Sequence, residues 1–274
     1  MADMIAGAYG DVMATEARIG GLLRDWRRRR RLSQLDLALQ AETSARHLSC
    51  VETGRARASR EMVLRLCAAL DVPLRERNTL LLAAGYAPAY RESSLDDEEM
   101  TGVRAALDTM LETHEPYPAV VVDRCWTVLA ANRGMALLMA GVPPELLLPR
   151  PNVFRLALHP EGLASRLVNL REVRRLFLDR LRRQVQVTGD GELRALYEEV
   201  CAYAPPDGGA DDAVTRRSPI EVPLRLRTPH GELALFSTMA TFGAPADVTL
   251  SELAIELFYP LDEVSRQALC ALAR

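Results

Sequence analysis

Residues 32–55 read LSQLDLALQAETSARHLSCVETGR, and this stretch decides the fold of the N-terminal part. Ser33 has the chemistry of a helix N-cap, because its hydroxyl can accept from the unpaired N–H groups of the next turn. Gln34–Gln40 is then a short helix, with Leu35, Ala38 and Leu39 expected to face inward. Ala41-Glu42-Thr43 breaks the pattern, and Ser44 caps a second helix, Ala45–Glu52. Thr53-Gly54-Arg55 ends it, with Gly54 supplying the left-handed backbone of a helix C-terminus.

Working outward, residues 15–31 form an amphipathic helix in which Ile19, Leu22, Leu23 and Trp26 share one face. On the other side Ser59 caps Arg60–Leu70, with Met62, Val63, Leu66 and Leu70 apolar, and Pro73 opens Leu74–Ala84. Five helices with short connections within residues 15–84 predict a compact all-α domain. Gly, Pro and Tyr interrupt the pattern from Gly85, and residues 85–97 are read as a linker. Asp96–Glu99 then open a helix to about Thr113, as the helix dipole favours.

The period changes beyond Pro118. Ala119–Val122 and Trp126–Ala131 are short β-rich runs parted by Asp123-Arg124-Cys125, a hairpin signal. Asn132 begins a helix carrying Met135, Leu138 and Met139. Residues 162–185 and 193–203 are further helices, the first with an arginine-rich outer face, and Gly208–Asp212 is a loop. Ile220–Arg227, Glu232–Phe242 and Leu250–Phe258 are strands, the first two joined through Pro229-His230-Gly231 as an antiparallel hairpin. The order predicts an α+β domain over residues 98–262, with an antiparallel sheet of about five strands.

The charge is unevenly shared. The net charge of the 274 residues is −3, and every one of the 34 basic side chains is arginine. Residues 1–90 hold 14 Arg against 10 acids, and residues 91–274 hold 20 Arg against 27. A basic end on an acidic body points to a nucleic-acid contact at that end, or to no more than a solvated helix end at Arg27–Arg31. No apolar run is long enough for a membrane span and no secretory signal is visible. The five cysteines are scattered with no C-x-x-C pair, so a reduced cytoplasmic setting is expected, without a disulfide framework or zinc knuckle. Hydrolase elbow, zinc-protease, P-loop and dinucleotide motifs are all missing, and the four histidines have no metal-ligand spacing. No enzyme, metal or cofactor is expected.

The quoted segment resembles the helix-turn-helix of the phage-repressor-like (XRE) DNA-binding family, through its Ser33-Gln34 start, the inward Ala38, Leu48 and the Glu52-Thr53-Gly54 ending. A second helix set steeply on the first can enter a major groove. Base contacts then fall to Ser44, Ala45, Arg46 and His47, with Ser49 and Cys50 one turn on. Arg46 is the natural guanine reader, its planar fork matching O6 and N7. Arg55 and Arg57 suit phosphates. The resemblance adds Gln34 as a phosphate contact, and implies that Glu52 pairs with a first-helix arginine at Arg27. His47 could equally be a plain surface residue, and Cys50 a packing residue.

The C-terminal part resembles the MmyB-like ligand-binding domain, a PAS-like fold, through Val120–Asn132, Asn152–Leu156 and the run Gly231–Pro260. The family's more usual tryptophan before the asparagine is Ala131 here. The resemblance implies a sensor for a small apolar or fatty-acid-like effector. Trp126, Phe154, Phe236 and Phe258, with Leu137, Leu167, Phe177 and Met239, are candidate lining residues. Asn132, His159, Arg166, Asn169 and Thr238 are candidate polar anchors, although Asn132 has cap chemistry and Arg166 could be solvated. The expectation is a cytoplasmic homodimeric regulator of double-stranded DNA with no membrane role. The competing readings are a regulator whose second domain dimerises or recruits protein, a ligand-free repressor or antitoxin, and an enzyme with a DNA-binding arm.

Overall fold

The computed structural model describes residues 19–204, 222–229 and 231–272. The start of the first expected helix, the Gly208–Asp212 loop, Ile220 with Glu221, and His230 of the expected turn lie outside the described residues. The chain divides into two compact units, Met1–Glu92 with Ala246–Val248, and Ser93–Pro245 with Thr249–Arg274.

The first unit is helical. Helix α1 covers residues 19–29, followed by α2 (Gln34–Gln40), α3 (Ala45–Glu52), α4 (Arg60–Ala69) and α5 (Leu74–Ala83). Three serines start three of them. The Ser33 hydroxyl accepts from Asp36 N at 3.1 Å while the Asp36 carboxylate accepts from Ser33 N at 2.9 Å, a reciprocal capping box. Ser44 accepts from His47 N at 3.0 Å and Ser59 from Met62 N at 3.2 Å. The core is built from Leu23, Trp26, Leu37, Leu48, Val51, Leu66 and Leu81.

The expected face of α2 is corrected. Leu35 and Leu39 are 58% and 71% exposed, whereas Leu37, Ala38 and Ala41 are buried. The stripe that faces the core is 34, 37, 38 and 41 at three- and four-residue steps, with Gln34 held on the buried Glu52. Leu70 and Ala84, expected as the last helical residues, stand one place on as C-caps. Helices α1 and α3 touch backbone to side: a Cβ on Gly20 would lie 2.5 Å from the Val51 carbonyl oxygen, so only glycine permits this approach.

The second unit is α+β. Its antiparallel sheet has the order β2-β1-β5-β4-β3, with β1 Ala119–Val122, β2 Val128–Ala131, β3 Leu224–Thr228, β4 Gly231–Thr241 and β5 Ala254–Pro260. The β1–β2 and β3–β4 hairpins follow the sequence reading. All four residues of β1 are buried, as a strand covered on both faces must be. Ala119 and Val121 pack with Leu107 and Leu111 of α6 (Thr101–Thr113). Val120 and Val122 pack on the opposite side with Phe154 of α9 (Val153–Leu158), Leu181 of α10 (Leu170–Thr188) and Leu196 of α11 (Gly191–Ala202).

Several boundaries differ from expectation. Strand β2 begins at Val128, because Trp126 holds a left-handed backbone (φ 65°) that cannot continue a strand. Residues 162–169 are turns and a 3-10 segment rather than the start of α10. Leu250–Glu252 belongs to α12 (Val248–Glu252), and β5 starts only at Ala254. Helix α7 (Arg133–Leu138) is capped by Asn132 as expected, while α8 (Pro144–Leu147), α9 and α13 (Glu263–Leu272) are additional.

Candidate functional site

In the helical unit a buried carboxylate fixes α3. Glu52 is 3% exposed. Its oxygens accept from Arg27 Nε at 2.6 Å and Nη2 at 2.9 Å, and from Gln34 Nε2 at 2.8 Å. Arg27 also donates to the Leu32 carbonyl, and Arg24 to the Glu52 carbonyl at 2.8 Å. Burial alone would push the Glu52 carboxyl up, but the bonds from Arg27 and Gln34 outweigh it and hold the carboxyl below its ordinary range. The helices α1, α2 and α3 are therefore locked together at one acid.

That lock leaves the N-terminal end of α3 outward. Ser44 and Arg46 are exposed, and His47, Ser49 and Cys50 are half-buried. Ala45 is half-buried and packs against the core. Arg55 and Arg57 are exposed beyond the helix, with Arg57 lying 5.5 Å over the Tyr86 ring. Gln34, expected at a phosphate, donates one of its two amide N–H groups to the buried Glu52.

The α+β unit holds a partly open cavity of about 560 Å³ between the sheet, α7 and α10. Its wall is chiefly hydrocarbon, including Val120, Leu138, Leu167, Phe177, Leu226 and Phe258. Of the expected lining residues, Phe236, Phe258, Leu167 and Phe177 line it, whereas Leu137 and Met239 do not.

The other expected ligand residues, Thr238 apart, make contacts within the scaffold. Asn132 accepts from Ala119 N and Met135 N and donates to the Leu111 and Tyr117 carbonyls, so it ties β1 to the start of α7. Trp126 donates from its ring N–H to Gln184 Oε1 at 2.8 Å and meets Phe154 edge-on at 5.1 Å. Phe154 is core, 1% exposed, and packs next on Phe177. The His159 ring accepts from Glu161 N and packs on Tyr203. Arg166 donates to the Leu138 carbonyl at 2.8 Å, and burial lowers its affinity for the proton. Asn169 donates to the Pro223 carbonyl and accepts from Arg225 N. Thr238 is exposed on β4.

Three polar residues in the lining escaped the sequence reading: Arg180, Ser237 and Glu256. Glu256 was legible as the lone acid within the apolar run AIELFYP. Arg180 was legible from spacing, since Val173, Leu176, Phe177 and Arg180 lie on one stripe of α10 and all line the cavity. Elsewhere Cys125, Asp190 and Glu192 bring possible metal ligands within 4.8 Å of one another, but the Arg124 guanidinium already pairs with both carboxylates. Among the described residues no helix is long and apolar enough to cross a membrane.

Comparison with known families gives two matches. Residues 103–272 match the family model for the MmyB-like transcription regulator ligand binding domain. Residues 18–80 match a helix-turn-helix domain model. A search of curated proteins returns no match to the chain.

Proposed function

We propose, from the premise that this chain belongs to the family of MmyB-like transcription regulators, how its two units divide the work. The helix-turn-helix binds duplex DNA, with α3 in the major groove. Ser44, Arg46, His47, Ser49 and Cys50 face base edges, with Ala45 close enough for a thymine methyl. Arg55 and Arg57 take phosphates. Gln34 keeps one amide N–H on Glu52 and offers the other to a phosphate. One short helix reads few bases, so the protein acts as a homodimer on an inverted repeat.

The α+β unit holds a small molecule with the build of a fatty acid, a hydrocarbon body with one polar end. The single observation that supports this reading is the cavity of about 560 Å³, a size typical of small-molecule sites and lined almost wholly by apolar side chains. Occupancy changes DNA affinity through the differential stability of two states. The test is organic extraction of the purified protein followed by mass spectrometry, together with DNA binding before and after extraction. A co-purifying amphiphile whose removal changes operator affinity supports the reading. A protein that neither carries nor accepts such a molecule, and whose DNA affinity never responds, is a ligand-free repressor with a dimerisation domain.

A further inference from the structure

The cavity wall is not uniform. At one place on β5 it presents Glu256, 3% exposed, flanked by Ser237 on β4 and Arg180 on α10. Glu256 Oε1 accepts from Ser237 Oγ at 2.8 Å, and Arg180 Nη1 stands 4.0 Å from the same oxygen. The second oxygen, Oε2, is buried with no hydrogen-bond partner among the described residues. Buried polar atoms are almost always paired, and leaving one bare is costly. The surrounding wall at Val120, Leu176 and Phe258 is hydrocarbon and offers nothing to it.

We propose that Glu256, Ser237 and Arg180 form the head-group subsite of this cavity, and that it takes an amphiphile ending in an uncharged hydroxyl, a straight-chain primary alcohol or its like, in preference to a carboxylate or an ammonium. The inference rests on the cavity being the effector site. An ammonium bound at Oε2 would set a second cation beside Arg180, whose guanidinium stands 4.0 Å from the same carboxylate. A carboxylate would face the charge of Glu256 unless that group first took up a proton. A hydroxyl both donates and accepts, so it satisfies Oε2 ionised or protonated, and it adds no charge. Burial pushes the Glu256 carboxyl up, with Ser237 and Arg180 acting against it.

The experiment uses the full-length protein and displacement of the neutral fluorophore N-phenyl-1-naphthylamine by 1-decanol, decanoate or decylamine. Decanol should displace it at about tenfold lower concentration than either charged compound, the size expected for one hydrogen bond to a buried charged group. Glu256→Leu should weaken decanol by about tenfold while the fluorophore still binds. Glu256→Gln, whose amide can donate as well as accept, should keep decanol and bring decanoate close to it. Decanoate equal to decanol in the unaltered protein overturns the subsite, as does an undiminished preference for decanol in Glu256→Gln. If neither the fluorophore nor any of the three compounds binds, the effector-site reading itself fails and takes the subsite with it.

Discussion

Arg46 and Arg55 carry the same guanidinium and differ in what their positions let them meet. Arg46 is exposed in the first turn of α3, and Arg55 is exposed just past its end. Arg46→Ala should cost about 1–3 kcal/mol of binding and relax the preference at one base pair, measured by competition among operator variants. An unchanged sequence preference would remove Arg46 as a reader. Arg55→Ala should weaken all sequences alike and lower the slope of affinity against salt by about one unit. A loss confined to one base position would place Arg55 at a base instead. Glu256 makes a different prediction. Its carboxyl is pushed up by burial, so the folded state holds a proton that the unfolded chain releases in the ordinary carboxylate range. Stability is therefore lost as pH rises above that range. Glu256→Gln should raise the melting temperature at pH 8 by more than at pH 5. An equal shift at both would show that Glu256 ionises freely. Glu52 works in the opposite sense, held low, so its contribution is present at neutral pH and lost as pH falls.

Among the elements, the crossing of α1 over α3 is specified by one glycine. Gly20→Ala places a methyl against the Val51 and Glu52 carbonyls and must push the helices apart, at about 1–3 kcal/mol. Urea denaturation checks it, and a variant as stable as the parent would mean that α1 shifts at no cost. Gly20 escaped the reading because a glycine inside a helix looks like a weakness until its neighbour is known. The helices themselves were legible, since Ser33, Ser44 and Ser59 each announce a start and each accepts the expected N–H. The inward face of α2 was not: Leu35, Leu37 and Leu39 leave more than one apolar stripe, and only tertiary partners such as Glu52, which holds Gln34, choose among them. Helix α9 was missed because six residues, VFRLAL, carry too little period to separate helix from strand. Helix α13 had a signal in Asp262, whose carboxylate accepts from Ser265 N at 2.7 Å, one turn after the last strand was thought to end. In the cavity the aromatics were easier to nominate than the polar groups. Phe236 and Phe258 reach its wall, but Asn132 and Asn169 are consumed by backbone that needs a side-chain partner.

For the molecule as a whole, arginine is the only cation. The planar fork spans paired acceptors at several places: Arg27 on Glu52, Arg155 on Glu199 at 2.8 and 2.7 Å, and Arg30 on the Leu70 and Asp71 carbonyls. The same fork lies over both tryptophans of the chain. Arg29 and Arg30 stand 4.9 and 5.3 Å from the centre of Trp26 in the helical unit, and Arg180 stands 5.2 Å from Trp126 in the α+β unit. Arg180 also lines the cavity. Each unit thus contains its own indole, and the guanidinium stacked on one of the two also stands in the cavity wall. A Trp26→Phe protein should change its fluorescence when decanol is added, while a Trp126→Phe protein should stay dark to decanol. A decanol response that survives in Trp126→Phe would contradict this. Two single-residue changes turn the chain into a pair of spectroscopic gauges, one for each unit, with no dye attached.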